Sequence, residues 1–513
     1  MKAPWLAHYD SGVPRSIGTY PNKTLVDFVA DRARTNPGST CVVFKGRRVT
    51  YAELDSAAEA FARALKSIGV REGDRVALVL PNAPQFLIAE LAIWRLGAIV
   101  APQNPIYTER ELQESLAATG PDTIIVLTPF YERVKRIQSS TALRRVIATN
   151  VKEYLPGVLR VLFTLAKEKK EGHRIALQEG DYWFQSLIAK GRSLPPVTNV
   201  ATPDKPAVVL MSGGTTGTPK GVLSDHRSLV MAGTQLTAWL REALVGPEAS
   251  IMLPLPLFHT YGAAGAQPLA LINGIPLILV PNPRDVDDVV KTIQRDRPAL
   301  FCGVPTLFNA LLDHRDVQAG KVDFRSIRAC FSGAAALMAE TKRRFEELTG
   351  GRIVEGYSLT EATMACFVNP LRGANKIGSV GMPVPDVSVR IVDSDEGTRE
   401  LPGGEVGEIV IHAPQLMRGY WNNPEESAQM LRSGADGKQW LFTGDLGYLD
   451  DEGYLFIVDR KKDLIKTSGF QVWPREIEEV IAAHPAVLEV GVAGIPDAFK
   501  GEVAKAWVVL KAG

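Results

Sequence analysis

Residues 207–221 read AVVLMSGGTTGTPKG, and this stretch indicates both a fold class and a ligand. The apolar run 207–211 has the length of a buried strand. Glycines in the loop that follows permit tight turns and bring backbone N–H groups close to ligand oxygens, while hydroxyls and an ammonium group add donors. The residues concerned are Ser212, Gly213, Gly214, Thr215, Thr216, Gly217 and Lys220. We therefore predict a phosphate-holding loop between a strand and a helix.

The spacing of this loop differs from that of the common nucleotide-binding loop. That motif has Gly, four residues and then Gly-Lys-Ser/Thr, whereas Lys220 stands between Pro219 and Gly221. A purine-triphosphate switch or motor is therefore disfavoured. The alternative, a solvated Gly/Thr turn with no ligand, accounts less well for the density of glycines and for the lysine.

Composition narrows the class of protein. A chain of 513 residues exceeds one typical domain, and a formal net charge of +1 lacks the basic surplus of a nucleic-acid-binding protein. The four cysteines lack Cys-x-x-Cys spacing, which favours reduced, buried thiols over disulfides or zinc. The N-terminus does not resemble a signal peptide, and no stretch approaches the roughly 20 apolar residues that span a bilayer. We expect a cytoplasmic protein, monomeric or homodimeric, that binds no nucleic acid.

Strand and helix patterns alternate along most of the chain. Thr50 and Glu53 form a capping box ahead of one helix pattern. The patterns that follow are a strand at 75–80, a helix at 84–96, a strand at 98–101, a helix at 109–118 and strands at 123–127, near 251 and at 276–280, 299–302, 328–332 and 352–356. This alternation indicates an α/β fold with two doubly wound subdomains, in which the loops after Met211, Ser332 and Gly356 converge on one site.

Short β patterns replace the alternation between residues 378 and 458 and indicate a small, distorted β-barrel. We predict that residues 1–458 form one large N-terminal domain. The charged run at 459–463 then reads as a hinge, and residues 464–513, with a helix at 474–483, read as part of a small α+β C-terminal domain.

The segment 154–170 carries an apolar pattern followed by Lys167, Lys169 and Lys170. An ordinary packed helix is the interpretation we favour. Contact with a membrane, at its inner face and peripheral only, is the alternative.

Two further clusters carry groups suited to a nucleotide. In the run 356–361, Thr360 and Glu361 offer a hydroxyl and a carboxylate for a phosphate and Mg²⁺. In the run 443–445, predicted at a turn, Asp445 could accept hydrogen bonds from both hydroxyls of a ribose. Taken singly, Thr360 could be a local cap and Asp445 a turn former.

The motifs taken together resemble the adenylate-forming superfamily of acyl-CoA synthetases, firefly luciferases and peptide-synthetase adenylation domains, and most of all its bacterial long-chain fatty acid–CoA ligases. The resemblance covers essentially the whole chain. Its motifs are the glycine-rich loop and the runs 255–259, 332–335, 356–361, 407–409, 443–445 and 459–471. It implies a two-step reaction with ATP, Mg²⁺ and coenzyme A: a carboxylate attacks the α-phosphorus to give acyl-AMP, and the CoA thiolate then displaces AMP. Neither step needs a protein nucleophile.

The resemblance also implies roles for individual residues. Thr215, Thr216 and Lys220 would hold the β- and γ-phosphates, Thr360 the α-phosphate, Glu361 the Mg²⁺, and Asp445 with Arg460 the ribose. Adenine would lie near Gly333, Ala334, Ala335 and Gly356, stacked on Tyr357. Lys462 matches a hinge position, and Lys466, Gly469 and Gln471 fall where the C-terminal domain turns towards the acyl-adenylate for thioester formation. Without the resemblance, Tyr357 could be a core aromatic and the lysines a solvated basic patch.

The acid is expected to be a medium-chain or long-chain fatty acid, because the Ser-Gly-Gly-Thr start of the loop and the runs 355–362 and 154–170 look most like the fatty acyl branch. His259 matches a gate beside the acyl site, although a structural loop histidine is the alternative. Tyr261, Gly262, Gly265 and the loop 333–337 are expected to line the pocket, whose small residues admit a chain or a ring. An aryl acid of the hydroxycinnamate type is therefore the second candidate.

The sequence departs from the resemblance at residues 510–513, where relatives continue to a Gly-Lys motif whose lysine bridges the carboxylate and the α-phosphate. Either the chain is truncated there or the protein lacks this lysine. Loss of such a group typically costs roughly 10²-fold to 10³-fold, so we expect a 513-residue polypeptide to adenylate poorly. A non-catalytic relative that binds an acyl group or a nucleotide is the alternative from another class.

Overall fold

The computed structural model describes residues 3–212, 220–335, 337–463, 465–467, 470–482, 484, 486–497 and 499–511. The strands are β1 (Thr40–Phe44), β2 (Arg47–Thr50), β3 (Arg75–Val79), β4 (Ile99–Pro102), β5 (Thr123–Leu127), β6 (Arg145–Thr149), β7 (Tyr182–Trp183), β8 (Pro206–Ser212), β9 (Lys220–Asp225), β10 (Ile251–Leu253), β11 (Leu277–Leu279), β12 (Leu300–Gly303), β13 (Ala329–Ser332), β14 (Arg352–Tyr357), β15 (Phe367–Val368), β16 (Met382–Pro383), β17 (Ser388–Val392), β18 (Gly407–His412), β19 (Gly419–Tyr420), β20 (Leu431–Ser433), β21 (Gln439–Leu449), β22 (Leu455–Arg460), β23 (Ile465–Thr467), β24 (Phe470–Val472), β25 (Val487–Asp497) and β26 (Gly501–Leu510).

The α-helices are α1 (Leu25–Thr35), α2 (Tyr51–Ser67), α3 (Pro84–Arg95), α4 (Glu109–Thr119), α5 (Tyr131–Gln138), α6 (Gly157–Ala166), α7 (Phe184–Gly191), α8 (His226–Trp239), α9 (Gln267–Asn273), α10 (Val286–Asp296), α11 (Pro305–Leu312), α12 (Arg315–Gln318), α13 (Ala339–Thr349), α14 (Pro424–Met430) and α15 (Pro474–Ala482). The predicted capping box is present, since the Thr50 hydroxyl accepts from the N–H of Glu53 at 3.1 Å and the Glu53 carboxylate accepts from the N–H of Thr50 at 2.8 Å. No described helix combines the length and apolar character needed to cross a membrane.

Two large sheets confirm the predicted α/β fold. The first has the strand order β19-β9-β8-β4-β3-β5-β6-β7, and its strands from β8 to β7 are parallel. The second has the order β16-β15-β14-β13-β12-β10-β11-β1-β2, and its strands from β14 to β1 are parallel. Helix α3 is buried along its whole length, because apolar side chains surround its axis rather than forming one stripe.

Two parts of the chain differ from their predicted positions, and one hairpin carried no prediction. The hairpin β1–β2 joins the second sheet, with Val42 opposite Leu277. The glycine-rich loop lies between two antiparallel strands, β8 and β9, so the prediction of a helix directly after it was wrong. Residues 443–445 lie within β21 rather than at a turn, although Gly444 takes the left-handed φ of +70° that glycine tolerates.

The small β region and the C-terminal part form separate antiparallel sheets. Strands β17, β18, β21 and β20 lie side by side, and β22 pairs with β21. Because β22 runs to Arg460, it includes the first two residues of the predicted hinge. The fourth sheet has the order β24-β23-β26-β25, and α15 matches the predicted helix up to Ala482; Ala483 lies outside the described residues.

The segment 154–170 contradicts the favoured interpretation of a packed helix. A 3₁₀ turn at Val151–Tyr154 precedes α6, and most of the aliphatic side chains of α6 are exposed. Phe163 is the buried side chain of this helix. Apolar periodicity predicted a helix here correctly, but its apolar face is exposed rather than packed.

Candidate active site

The ends of β13 and β14 lie side by side, and the turn after β14 contacts the β8–β9 hairpin. Strands β13 and β14 are adjacent, with Ser332 opposite Glu355, so the loops that follow them leave the same edge of the sheet. A hydrogen bond of 2.8 Å between the hydroxyls of Ser224 and Thr363 joins the β8–β9 hairpin to the turn after β14. This contact joins the two subdomains, but the glycine-rich loop 213–219 lies outside the described residues, so the convergence of all three loops stays a prediction.

Glu361 is the centre of one polar cluster. This residue follows β14 in a 3₁₀ turn at Thr360–Ala362, and its buried carboxylate accepts a hydrogen bond of 2.8 Å from the hydroxyl of Tyr420. Burial and the nearby Glu361 charge raise the pKa of Tyr420, so its hydroxyl stays protonated and remains a donor. The Lys220 ammonium lies 5.4 Å from the centroid of the Tyr420 ring and forms an ion pair with Glu426.

The backbone around Glu361 is strained. Thr363 and Met364 have φ values of +51° and +107°, a region that non-glycine residues rarely occupy. Such conformations cost roughly 1–3 kcal/mol each and persist only where the surroundings hold them. Here the Thr363 hydroxyl bonds to Ser224, and the N–H of Met417 donates to the carbonyl of Glu361 at 2.9 Å.

Asp445 is the centre of a second polar cluster. Its buried carboxylate accepts a hydrogen bond of 2.5 Å from the Tyr357 hydroxyl and lies 3.4 Å from Nε of Arg460, which stands opposite it on β22. Burial raises the pKa of Asp445, while the Tyr357 hydroxyl and the Arg460 charge oppose this rise. Burial and the Asp445 charge also raise the pKa of Tyr357 well above its usual value, so the phenol stays a donor.

Glu408 holds the backbone beside Asp445. One carboxylate oxygen of Glu408 accepts from the N–H of Gly444 at 3.1 Å, and the other lies 3.0 Å from Nζ of Lys461. Because Glu408 is buried on β18, this link ties the start of the predicted hinge to the large domain.

The segment that leads to His259 is fixed by a buried asparagine. The Asn82 amide donates to the carbonyls of Leu253 and Leu255 at 3.0 and 2.8 Å and accepts from the N–H of Leu257 at 2.8 Å. His259 lies two residues after Leu257 and is exposed. Surrounding protein still lowers the pKa of His259, and its Nδ1 accepts from the N–H of Tyr261 at 3.3 Å, so the ring is neutral.

The residues expected in the acyl pocket are tightly packed. Tyr261 donates from its hydroxyl to the carbonyl of Phe331 at 2.6 Å, and a side chain at Gly333 would lie 3.4 Å from the Tyr261 ring. A Cβ at Gly262 would come within 2.4 Å of the Pro256 carbonyl oxygen, and one at Gly265 within 2.6 Å of the Met364 side chain. Both glycines are therefore required for close packing of the buried π-helical turn Tyr261–Ala266.

Several predicted site residues fall outside the described residues or are described only in part. Gly213, Gly214, Thr215, Thr216, Gly217, Gly469 and Ala336 of the loop 333–337 are outside. Ser212 and Lys220 stand opposite each other on β8 and β9, at the two residues that flank the undescribed part of the glycine-rich loop. Lys466 on β23 stands opposite Gln471 on β24, and only the backbone of these two residues is described. Lys462 is exposed, with Nζ 4.0 Å from Asp463.

The structure describes residues 333–335, which are predicted to lie near adenine, and the turn Thr360–Ala362, which is predicted to hold the α-phosphate. Ala334 has a left-handed φ of +70°, and Ala335 beside it is exposed. Thr360 is half-buried at the first position of its 3₁₀ turn. Gly356 lies in β14, where a Cβ would come within 2.5 Å of the Phe331 ring.

Sequence reasoning missed four residues that support the site: Tyr420, Glu426, Glu408 and Asn82. Glu408 stands inside the motif at 407–409 and could have been singled out there. Tyr420 lies 59 residues from Glu361 with no motif to join them, so its role emerges only from the pairing of β19 with β9.

Comparison with known proteins agrees with this geometry. Residues 29–421 match the AMP-binding enzyme family and residues 476–513 match the AMP-binding enzyme C-terminal domain. A long-chain-fatty-acid–CoA ligase of Bacillus subtilis is 37% identical over 99% of this chain and 89% of its own length, and one of Escherichia coli O6:H1 is 34% identical over 100% and 90%.

Solved structures resemble the chain over similar lengths. ATP-bound MatB from Rhodopseudomonas palustris has 29% identity and a TM-score of 0.78, covering 95% of this chain and 89% of its own. An anthranilate CoA ligase in complex with anthranoyl-AMP has 28% identity and a TM-score of 0.80, covering 96% and 88%. Because the family match extends over most of the sequence and includes the Glu361 cluster with Tyr420, this chain belongs to the AMP-binding enzyme family.

Proposed function

We propose that this chain is an ATP-dependent acid–thiol ligase that activates a medium-chain or long-chain fatty acid through acyl-AMP to acyl-CoA. The observation that carries the proposal is the similarity to long-chain-fatty-acid–CoA ligases over the full length of the chain, at 37% identity with the Bacillus subtilis relative. ATP, the acid and coenzyme A are the substrates. The reaction would take place in the cytoplasm, where ATP and coenzyme A are available.

The first step joins a carboxylate oxygen to the α-phosphorus of ATP and breaks the bond to pyrophosphate. A protein contributes to such a step mainly by positioning the reactants and by stabilising charge on the phosphates. Lys220 would supply positive charge, and because it is paired with Glu426 in this structure, the phosphates of ATP would have to compete with that carboxylate. Thr360 would donate to the α-phosphate from the turn after β14.

The nucleoside would be held by the Asp445 cluster. A carboxylate has acceptors only, so Asp445 suits the two hydroxyls of a ribose. Tyr357 and Arg460 contact this carboxylate and would keep it in place. Tyr357 would present its ring to adenine, with Gly333, Ala334 and Ala335 on the neighbouring loop.

The residues present fit Mg²⁺ if the ion is shared with the substrate. Among the described residues, no three His, Cys, Asp or Glu side chains gather into a site that could hold a metal by themselves. Mg²⁺ usually keeps several waters and takes one or two carboxylates together with substrate phosphates. Glu361 supplies one such carboxylate, positioned by Tyr420. When bound, the ion would neutralise charge on the phosphates.

In the second step the CoA thiolate would attack the acyl carbonyl, and AMP would leave. Lys466, Gly469 and Gln471 are proposed to serve this step, with Lys462 as the pivot between the two half-reactions. The neutral His259, at the end of the segment held by Asn82, would separate the acyl pocket from the nucleotide.

An assay of the full-length protein against a panel of acids tests the proposal. Each acid would be supplied with ATP, Mg²⁺ and coenzyme A, and pyrophosphate, AMP and the thioester would be quantified. Octanoate, laurate, palmitate and oleate should give all three products, with 4-coumarate and benzoate at least tenfold less efficient. A preference for 4-coumarate would establish the aryl ligase instead, and nucleotide binding without any product would establish the non-catalytic relative.

A further inference from the structure

Helix α6 exposes an apolar stripe to solvent. Val158, Val161, Leu162 and Leu165 have exposed fractions of 75, 58, 55 and 80%. Their spacing is i, i+3, i+4 and i+7, which places all four on one face of a helix. Such a stripe normally faces the core of a globular protein, and a contiguous exposed apolar surface rimmed by polar residues usually marks an interaction site.

The opposite side of α6 fixes its orientation. Phe163 is buried, with its ring at 5.1 Å and near a right angle to the ring of His173. Nδ1 of His173 lies 2.8 Å from the Thr128 hydroxyl, and the His173 carbonyl accepts from the Asn150 amide at 3.1 Å. The stripe therefore cannot turn inward without dismantling this buried network.

Positive charge accompanies the stripe. Lys167, Lys169, Lys170 and Arg174 are exposed directly after α6. Two carboxylates interrupt this run, but Glu168 is buried in an ion pair with Lys152 at 2.5 Å, and Glu171 pairs with Lys167 at 3.3 Å. In the described part of the chain, Lys169, Lys170 and Arg174 form no ion pair.

We propose that α6 and the basic run 167–174 form a docking surface for an anionic phospholipid bilayer. An amphipathic helix binds such a surface by burying its apolar face among the acyl chains while nearby lysines and arginines meet the lipid phosphates. The exposed apolar stripe and the exposed cationic run that directly follows it in the chain supply both components. Membrane binding itself does not depend on the proposed function. Only its purpose, access to a fatty acid dissolved in the bilayer, rests on that function.

Cosedimentation with lipid vesicles tests binding without catalysis. The full-length protein would be mixed with vesicles of phosphatidylcholine alone or with one-third phosphatidylglycerol, in the absence of fatty acid, ATP and coenzyme A. We expect binding to the anionic vesicles that weakens at high salt. Leu162→Asp/Leu165→Asp should lower the partition coefficient at least about tenfold, and Lys169→Glu/Lys170→Glu should lower it by a similar factor.

Val245→Asp/Ile377→Asp is the matched control. It places two charges at exposed aliphatic positions outside α6, and it should leave binding within about twofold of the wild type. Equal binding by the wild type and the Leu162→Asp/Leu165→Asp variant would overturn the proposal, as would no binding to anionic vesicles. The proposal would also be overturned if the wild type were a dimer, the Leu162→Asp/Leu165→Asp variant were a monomer, and neither bound vesicles. The stripe would then be a contact between two copies of the chain.

Activity measurements separate this inference from the proposed function. The Leu162→Asp/Leu165→Asp variant should retain the wild-type rate with octanoate in solution but lose about tenfold in kcat/KM with palmitate presented in anionic vesicles. If the wild type binds vesicles and activates no acid, the docking surface stands and the proposed function fails.

Discussion

Replacement of Tyr420 by phenylalanine removes the one hydroxyl that donates to the Glu361 carboxylate in the described residues. The bond is 2.8 Å long and both side chains are buried, so water cannot readily substitute for the lost donor. A hydrogen bond to a charged group contributes about 1.5–3 kcal/mol, which corresponds to a factor of about 10 to 150. If Glu361 binds Mg²⁺ together with ATP, kcat/KM for Mg·ATP should fall by a factor in this range.

A double-mutant cycle tests whether Tyr420 acts through Glu361. Pyrophosphate release would be measured for Tyr420→Phe, Glu361→Gln and the double variant across a range of Mg²⁺ concentrations. Because both residues belong to one contact, the double variant should be no more than about threefold worse than Glu361→Gln alone. Tyr420→Phe should also need a higher Mg²⁺ concentration for half-maximal activity.

Tyr448→Phe provides the matched control. The Tyr448 ring stacks on Phe456 at 5.0 Å, and its hydroxyl has no hydrogen-bond partner among the described residues, so this variant should retain full activity. Losses from Tyr420→Phe and Glu361→Gln that multiply in the double variant would refute the reasoning, and so would an unchanged Mg²⁺ dependence in Tyr420→Phe.

Three further substitutions have defined outcomes. Asp445→Asn should weaken ATP binding, measured by calorimetry, at least about tenfold. In the wild type, ATP affinity should fall as the pH drops through the raised pKa of Asp445, and Asp445→Asn should abolish this fall. Asp451→Asn, at an exposed position, should change neither the affinity nor its pH dependence. Asn82→Ala should lower the free energy of unfolding by about 3 kcal/mol in urea, because three backbone groups lose their partner; a loss below about 1 kcal/mol would contradict this. Burial lowers the pKa of His226 to about 3, so folding stability should fall below pH 6.5 by up to about 1.4 kcal/mol per pH unit, and His226→Leu should reduce that slope.

Local patterns predicted much of the fold because they report local forces. The run 123–127 is apolar from Ile124 onward and forms a strand within those bounds, and the capping box at Thr50 starts α2 as expected. Pairing between distant segments carries no such local signal. The hairpin β1–β2 joins a sheet whose other strands begin about 200 residues later, and β19 is too short to show a strand period.

The candidate site was predictable where a motif marks it. Tyr357, Asp445 and Arg460 were all singled out from their motifs, and the structure brings them into contact. The partner of Glu361 escaped prediction because a buried tyrosine such as Tyr420 has the same pattern as a core aromatic. The exposure of α6 also escaped, since periodicity defines an apolar face but not what covers it.

The most direct test of the central claim is the pyrophosphate released by the full-length protein with palmitate, ATP and Mg²⁺, measured beside 4-coumarate and a blank without acid. We predict that pyrophosphate release depends on palmitate, that AMP is released in equal amount once coenzyme A is added, and that kcat/KM is at least tenfold higher for palmitate than for 4-coumarate. Release that is independent of the acid, or a preference for 4-coumarate, would contradict it.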